Sequence, residues 1–119
     1  MTIERAEYIL NYFSQLMNSR EKAAWQHWVT SYKMEHSNSK PEQKEARKII
    51  YYDKGWMTKD PSVLELLSQG IDPFKITTAR RISKDHPNVL KFNLCPKCGK
   101  LARTPFAKQC HHCFHRWHD

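Results

Sequence analysis

Apolar side chains in the first segment recur with a helical period. At 100° per residue Ile3, Ala6, Ile9, Leu10, Phe13, Leu16 and Met17 fall within an arc of about 140°, with Glu4, Glu7, Asn11 and Ser14 opposite. This pattern predicts an amphipathic helix facing a core. Asn18 followed three residues later by Glu21 has the layout of a capping box, and Trp25, Trp28, Val29 and Tyr32 then repeat at helical spacing. A second helix is expected to about Lys33. Ser39 and Glu42 form another cap pairing, with Pro41 at the first helical position, and the third helix should end near Gly55. Asp60-Pro61 and Asp72-Pro73 open two more, separated by a short turn holding Gly70. Aromatic residues at this spacing are read as packing rather than as a ligand pocket. Helical periodicity stops at Asp85-His86-Pro87, where the run Val89, Leu90, Phe92 and Leu94 has the character of a strand. The expected organisation is a helical domain over 1–86 and a second domain over 87–119, with no evident internal repeat.

The longest unbroken apolar stretch is Ile49 to Tyr52, far short of the roughly 20 residues of a spanning helix, so no membrane partner is expected. Glu4 and Glu7 near the start differ from a basic export signal, and a cytoplasmic location is the expectation. The 119-residue chain is basic, with 20 Lys plus Arg against 12 Asp plus Glu and a formal net charge of +8. From Phe74 to Trp117 every charged side chain except Asp85 is basic. This bias makes a phosphate-bearing partner plausible, although lysine and arginine also simply keep small domains soluble. On the fifth helix Arg80, Arg81, Lys84 and Thr77 lie opposite Phe74, Ile76, Ala79 and Ile82, either as a recognition face or as a solvated one.

The most specific signal is the cysteine spacing. Cys95-x-x-Cys98 and Cys110-x-x-Cys113 are separated by eleven residues, and two such turns brought together build a tetrahedral sulfur cage for one Zn²⁺. Pro96 stiffens the first turn and Gly99 permits the positive φ that turns backbone N–H groups toward the sulfurs. A segment of this length has too small a core to fold unaided, and one structural ion supplies the missing stabilisation. Disulfides, a thioredoxin-like redox pair and iron in the same cage are the alternatives, each less suited to paired C-x-x-C turns in a cytosolic chain.

These residues, CPKCG paired with CHHC, resemble the zinc ribbon family over residues 88–119, and the first 87 residues resemble no family. The resemblance implies Cys95, Cys98, Cys110 and Cys113 as the zinc ligands, with strands at Val89–Leu94, Lys100–Arg103 and His115–Trp117. One departure is Phe114, which stands where the second knuckle usually has glycine. The fold class expected is therefore α+β, an all-α domain of about five helices followed by a small β zinc ribbon.

His86, His111, His112, His115 and His118 lie near the cysteines and raise the question of a second metal or a hydrolytic centre. A cage closed by four cysteines leaves no open catalytic position, and no nucleophile with its base, nor a phosphate-cradling glycine loop, stands out. No enzymatic activity and no small-molecule substrate are expected. The leading expectation is a nucleic-acid-binding or regulatory protein, with Lys97, Lys100, Arg103, Lys108 and Arg116, joined by Arg80, Arg81 and Lys84, contacting the partner. Lys91 would add charge, and Phe92, Phe106 and Trp117 would offer stacking faces unless Trp117 is spent on the core. The alternative is a protein–protein adaptor in which zinc is structural, and a metal-dependent hydrolase using the histidines is a third reading.

Overall fold

A computed structural model describes residues 1–117; His118 and Asp119, the ends of the expected ribbon and histidine cluster, lie outside the described residues. Among the described residues five α-helices form: α1 (Ile3–Tyr12), α2 (Ser19–Glu35), α3 (Pro41–Asp53), α4 (Pro61–Leu64) and α5 (Ile71–Asp85). None of them is long and apolar enough to cross a membrane. The chain groups into two compact units, one of Met17–Phe74 and one of Met1–Leu16 with the chain from Lys75 onward. The segment after residue 86 thus shares a unit with α1 and most of α5, a grouping that periodicity along the chain does not display.

In the unit Met17–Phe74 the expected capping box is present. The Asn18 side chain accepts from the Glu21 N–H at 2.8 Å and the Glu21 carboxylate accepts from the Asn18 N–H at 2.9 Å. These bonds satisfy two N–H groups left over at the helix start. Along α2 the rings of Trp25, Trp28, Tyr32 and His36 stack in succession, and Phe74 extends the ladder from Trp25. The tryptophans act mainly through packing, as expected, though both keep part of their surface exposed. The His27 ring accepts from the Thr58 N–H at 3.0 Å, tying the chain before α4 to the middle of α2.

Three helix ends differ from expectation. The apolar stripe of α1 continues to Met17, yet the helix stops at Tyr12 and Ser14–Leu16 forms a 3-10 turn. Asn11, Tyr12, Phe13 and Ser14 are weak helix formers, and Asn18 must be extended to cap α2. The start of α3 is capped at Lys40, not Ser39, whose hydroxyl instead accepts from Arg47 at 2.6 Å. Helix α5 begins at Ile71, which places Pro73 within the first turn, where a missing N–H is harmless.

In the other unit Ala6, Tyr8, Ile9 and Leu10 of α1 are buried, as are Thr78, Ala79 and Ile82 of α5. Lys75 pairs with Glu7 at 3.2 Å, and Arg81 donates to the Leu16 carbonyl at 2.9 Å. The Phe92 ring lies against Tyr8 and under the Arg5 guanidinium, and the Asn93 N–H donates to the Tyr8 hydroxyl.

The expected ribbon strands do not form among the described residues; two isolated antiparallel bridges, Leu94 with Leu101 and Gln109 with Arg116, stand in their place. Local chemistry explains why pairing stops. The Asn93 side-chain amide donates to the carbonyls of Thr104 and Ala107, so the chain folds over after Ala102 instead of continuing a ladder. On the other side Phe92 is committed to Tyr8.

Candidate metal centre

Each C-x-x-C turn is closed by the same backbone bonds. In the first, Gly99 N–H donates to the Cys95 carbonyl, Cys95 N–H to Lys100 and Ala102 N–H to Asn93. In the second, Phe114 N–H donates to the Cys110 carbonyl, Cys110 N–H to His115 and Trp117 N–H to Lys108. Every partner is shifted by fifteen positions, so the two knuckles are a geometric repeat. No repeat is evident in the sequence because, beyond the two cysteines of each knuckle, none of these bonding positions keeps the same residue. Gly99 has φ +75° and Phe114 has φ +64°, which places phenylalanine in the left-handed region that the turn requires.

The two knuckles bring their sulfurs together. Cys95 Sγ lies 3.7 Å from Cys113 Sγ, Cys98 Sγ lies 3.5 Å from Cys110 Sγ, and all four sulfurs fall within 4.8 Å of one another. A tetrahedral shell with metal–sulfur bonds of about 2.3 Å has edges of roughly 3.8 Å, so these separations suit four ligands of one ion. They far exceed the roughly 2.05 Å of a disulfide, and the four remain separate thiols. Cys95 and Cys110 are buried, Cys113 is half-buried and Cys98 is at the surface.

Backbone dipoles are aimed at the sulfurs. The Cys98 N–H reaches Cys95 Sγ at 3.5 Å, and the His112 and Cys113 N–H groups reach Cys110 Sγ at 3.3 Å and 3.5 Å. The Cys113 N–H is the chief cause that draws the Cys110 thiol down to about 6, with burial opposing it and His112 adding to it. Burial pushes the Cys95 thiol up, but N–H groups of Cys98 and Lys97 and the bond with Cys113 leave it below its usual range. At Cys98 the Lys100 N–H favours the thiolate, yet desolvation and the neighbouring thiols push it up to about 11. Charge on one sulfur thus holds protons on another, and a bound cation is what lets all four ionise together.

Of the basic residues singled out from the sequence, Arg80, Lys84, Lys97, Lys100, Arg103, Lys108 and Arg116 are exposed. Arg81 differs: it is half-buried, pairs with Asp85 at 2.8 Å and holds the Leu16 carbonyl, so it serves the fold. Phe92 is likewise packed against α1, and Trp117 is half-buried beside His115, whereas Phe106 is 84% exposed.

His111 and His112, among the histidines that raise the question of a second metal in the sequence, meet a third donor that the sequence does not announce. Glu4 lies on the first turn of α1, and its carboxylate is 3.7 Å from His112 Nε2. The His111 and His112 rings are 3.9 Å apart, and Nδ1 of His111 is buried with no hydrogen-bond partner among the described residues. Burial, helped by the charges of His112 and Arg103, holds the His111 pKa below its usual value. Glu4 is more than a hundred positions away along the chain, and periodicity assigns it only to a polar helix face. In comparisons with known proteins the chain matches no family model, no curated protein and no solved structure.

Proposed function

We propose that the chain is a non-enzymatic, cytoplasmic zinc protein whose four-cysteine site stabilises a basic module that binds nucleic acid. The observation that carries the metal is the set of sulfur separations, close to the edge of a zinc–thiolate tetrahedron. Zinc is the ion best suited to four thiolates in a closed structural site, and the two C-x-x-C knuckles are the part of the zinc ribbon resemblance that carries it. The nucleic-acid reading is supported by exposed Lys97, Lys100, Arg103 and Arg116 on and between the knuckles, with exposed Phe106 and Phe114 among them. Basic side chains interleaved with open aromatic rings suit unpaired nucleic acid, whose phosphates and base faces they meet.

The test is fluorescence anisotropy of labelled single-stranded DNA, duplex DNA and RNA with zinc-loaded protein across a salt series. The expected log–log slope is about −0.7 to −0.9 per neutralised phosphate. Replacing Lys97, Lys100 and Arg103 together by alanine should make the slope shallower by about 0.7 to 0.9 for each phosphate no longer neutralised. Absence of binding at low salt defeats this reading. It would favour an adaptor, for which the exposed Ile49 and Ile50 of α3 offer an apolar surface.

A further inference from the structure

Besides the four-cysteine cluster, one other group of side chains among the described residues places three potential ligand atoms within 4.8 Å of one another: Glu4, His111 and His112. We propose that these three form a second metal site, open to solvent and selective for borderline first-row ions such as Zn²⁺, Co²⁺ or Ni²⁺. Two imidazoles and a carboxylate are the donors such ions accept, and three protein ligands leave positions for water or an exogenous ligand.

Three observations carry the proposal. The donors arrive from two separately fixed places, Glu4 from a helix anchored by buried Ala6 and Tyr8, and the histidines from a knuckle closed by Cys110 and Cys113. The 3.7 Å between Glu4 and His112 is near the roughly 3.3 Å edge of a tetrahedral nitrogen–oxygen shell, a difference that rotation of an exposed glutamate covers. His111 brings to the group a half-buried ring whose Nδ1 makes no hydrogen bond among the described residues, so no such bond commits that nitrogen to the fold. A cleft of about 200 Å³ lined by Glu4, Tyr12, Arg103 and His111 adjoins the group, with room for the waters that complete a shell.

The experiment is a Co²⁺ titration of the full chain followed by absorption and by metal analysis. The first equivalent should develop the intense thiolate charge-transfer band of the cysteine site, and a second should bind with only weak bands. Glu4→Gln should weaken the second equivalent at least about tenfold, because even residues that only support a ligand are worth that much. His111→Ala with His112→Ala should remove it, while the thiolate band of the first equivalent persists and shows that each variant is folded. Saturation of the native chain at one equivalent overturns the proposal, as does a second equivalent whose affinity none of these substitutions changes. Loss of the thiolate band with the second equivalent intact would instead refute the four-cysteine reading and uphold this one.

Discussion

Replacing Cys95 and Cys110 together by serine should unfold the knuckles and α1 while α2 stays folded. The substitutions remove the two buried thiols and leave one cysteine in each turn. A structural zinc site contributes about 10 to 16 kcal/mol to folding, against about 5 to 15 kcal/mol for the net stability of a whole domain. Little else holds this segment. Between residues 88 and 117 the buried apolar side chains other than cysteine are Leu101 and Ala102, and burial of one leucine is worth about 1.5 to 3 kcal/mol. Ordering costs about 1 to 2 kcal/mol per residue, so two isolated bridges and one leucine cannot hold the knuckles. Their unfolding takes Phe92 and Asn93 away from α1, whose ten residues fall below the about 12 to 15 at which isolated helices become marginal. Helix α2, seventeen residues long, belongs to the unit Met17–Phe74 and keeps its capping box and ring ladder. Hydrogen exchange read by segment should show fast exchange in α1 and from residue 88 onward, with α2 protected as in the native chain. Native-like protection of α1 would mean that its buried Ala6, Ile9 and Leu10, with the Glu7–Lys75 and Leu16–Arg81 pairings, hold it without the knuckles, and loss of protection in α2 would refute the prediction for the unit Met17–Phe74.

Two further outcomes follow from single positions. Gly99→Ala should destabilise the knuckle unit by about 1 to 2 kcal/mol, since its φ is +75° while nothing lies within 4 Å of the added Cβ, so the cost is conformational alone. A fall in the thermal midpoint of the zinc-loaded protein checks this, and an unchanged midpoint refutes it. The second concerns pH: burial holds the His27 pKa below its usual 6.5, and Thr58 N–H needs the ring nitrogen unprotonated. The folded state therefore binds fewer protons, so this contribution is complete above about pH 6.5 and is lost as pH falls through the folded value. Protection factors in α2, the observed exchange rates referred to the intrinsic rate at each pH, should fall on acidification in the native chain and lose this dependence in His27→Gln; equal pH dependence in both would contradict the argument.

The helices were legible because their signals are local. Asn18 with Glu21 marks a start that the structure places at Ser19, and Asp60 caps α4 through the Ser62 N–H. Gly70 at φ +101° separates the last two helices. The cysteine cluster was legible for a different reason: two C-x-x-C turns have few ways to bring four sulfurs together. What stayed hidden depends on distant pairs. Nothing near Tyr8 announces Asn93, and nothing near Glu4 announces His112, because each partner is set by the way the chain returns to α1. The missing strands have the same origin, since apolar alternation from Val89 to Leu94 suits a strand until Asn93 turns its amide to Thr104 and Ala107.

The fifteen-residue repeat bears on function as well. Both knuckles close the same backbone bonds, yet at the position after the second cysteine one uses glycine and the other phenylalanine, and inside the turns Pro96-Lys97 is matched by His111-His112. A turn whose geometry is dictated by two sulfurs and a few amide bonds makes little demand on its remaining side chains. Phe114 accepts a left-handed backbone at about 1 kcal/mol, small beside the stabilisation a structural zinc site would provide, and the residue is 72% exposed. The side chains released from structural duty can then diverge: Lys97 and Lys100 in the first knuckle carry charge, while His111 and His112 in the second carry imidazole rings. Two copies of one scaffold can thus present different chemistry from the same backbone geometry, which is what the proposed basic binding surface and the proposed second ion site would each draw on.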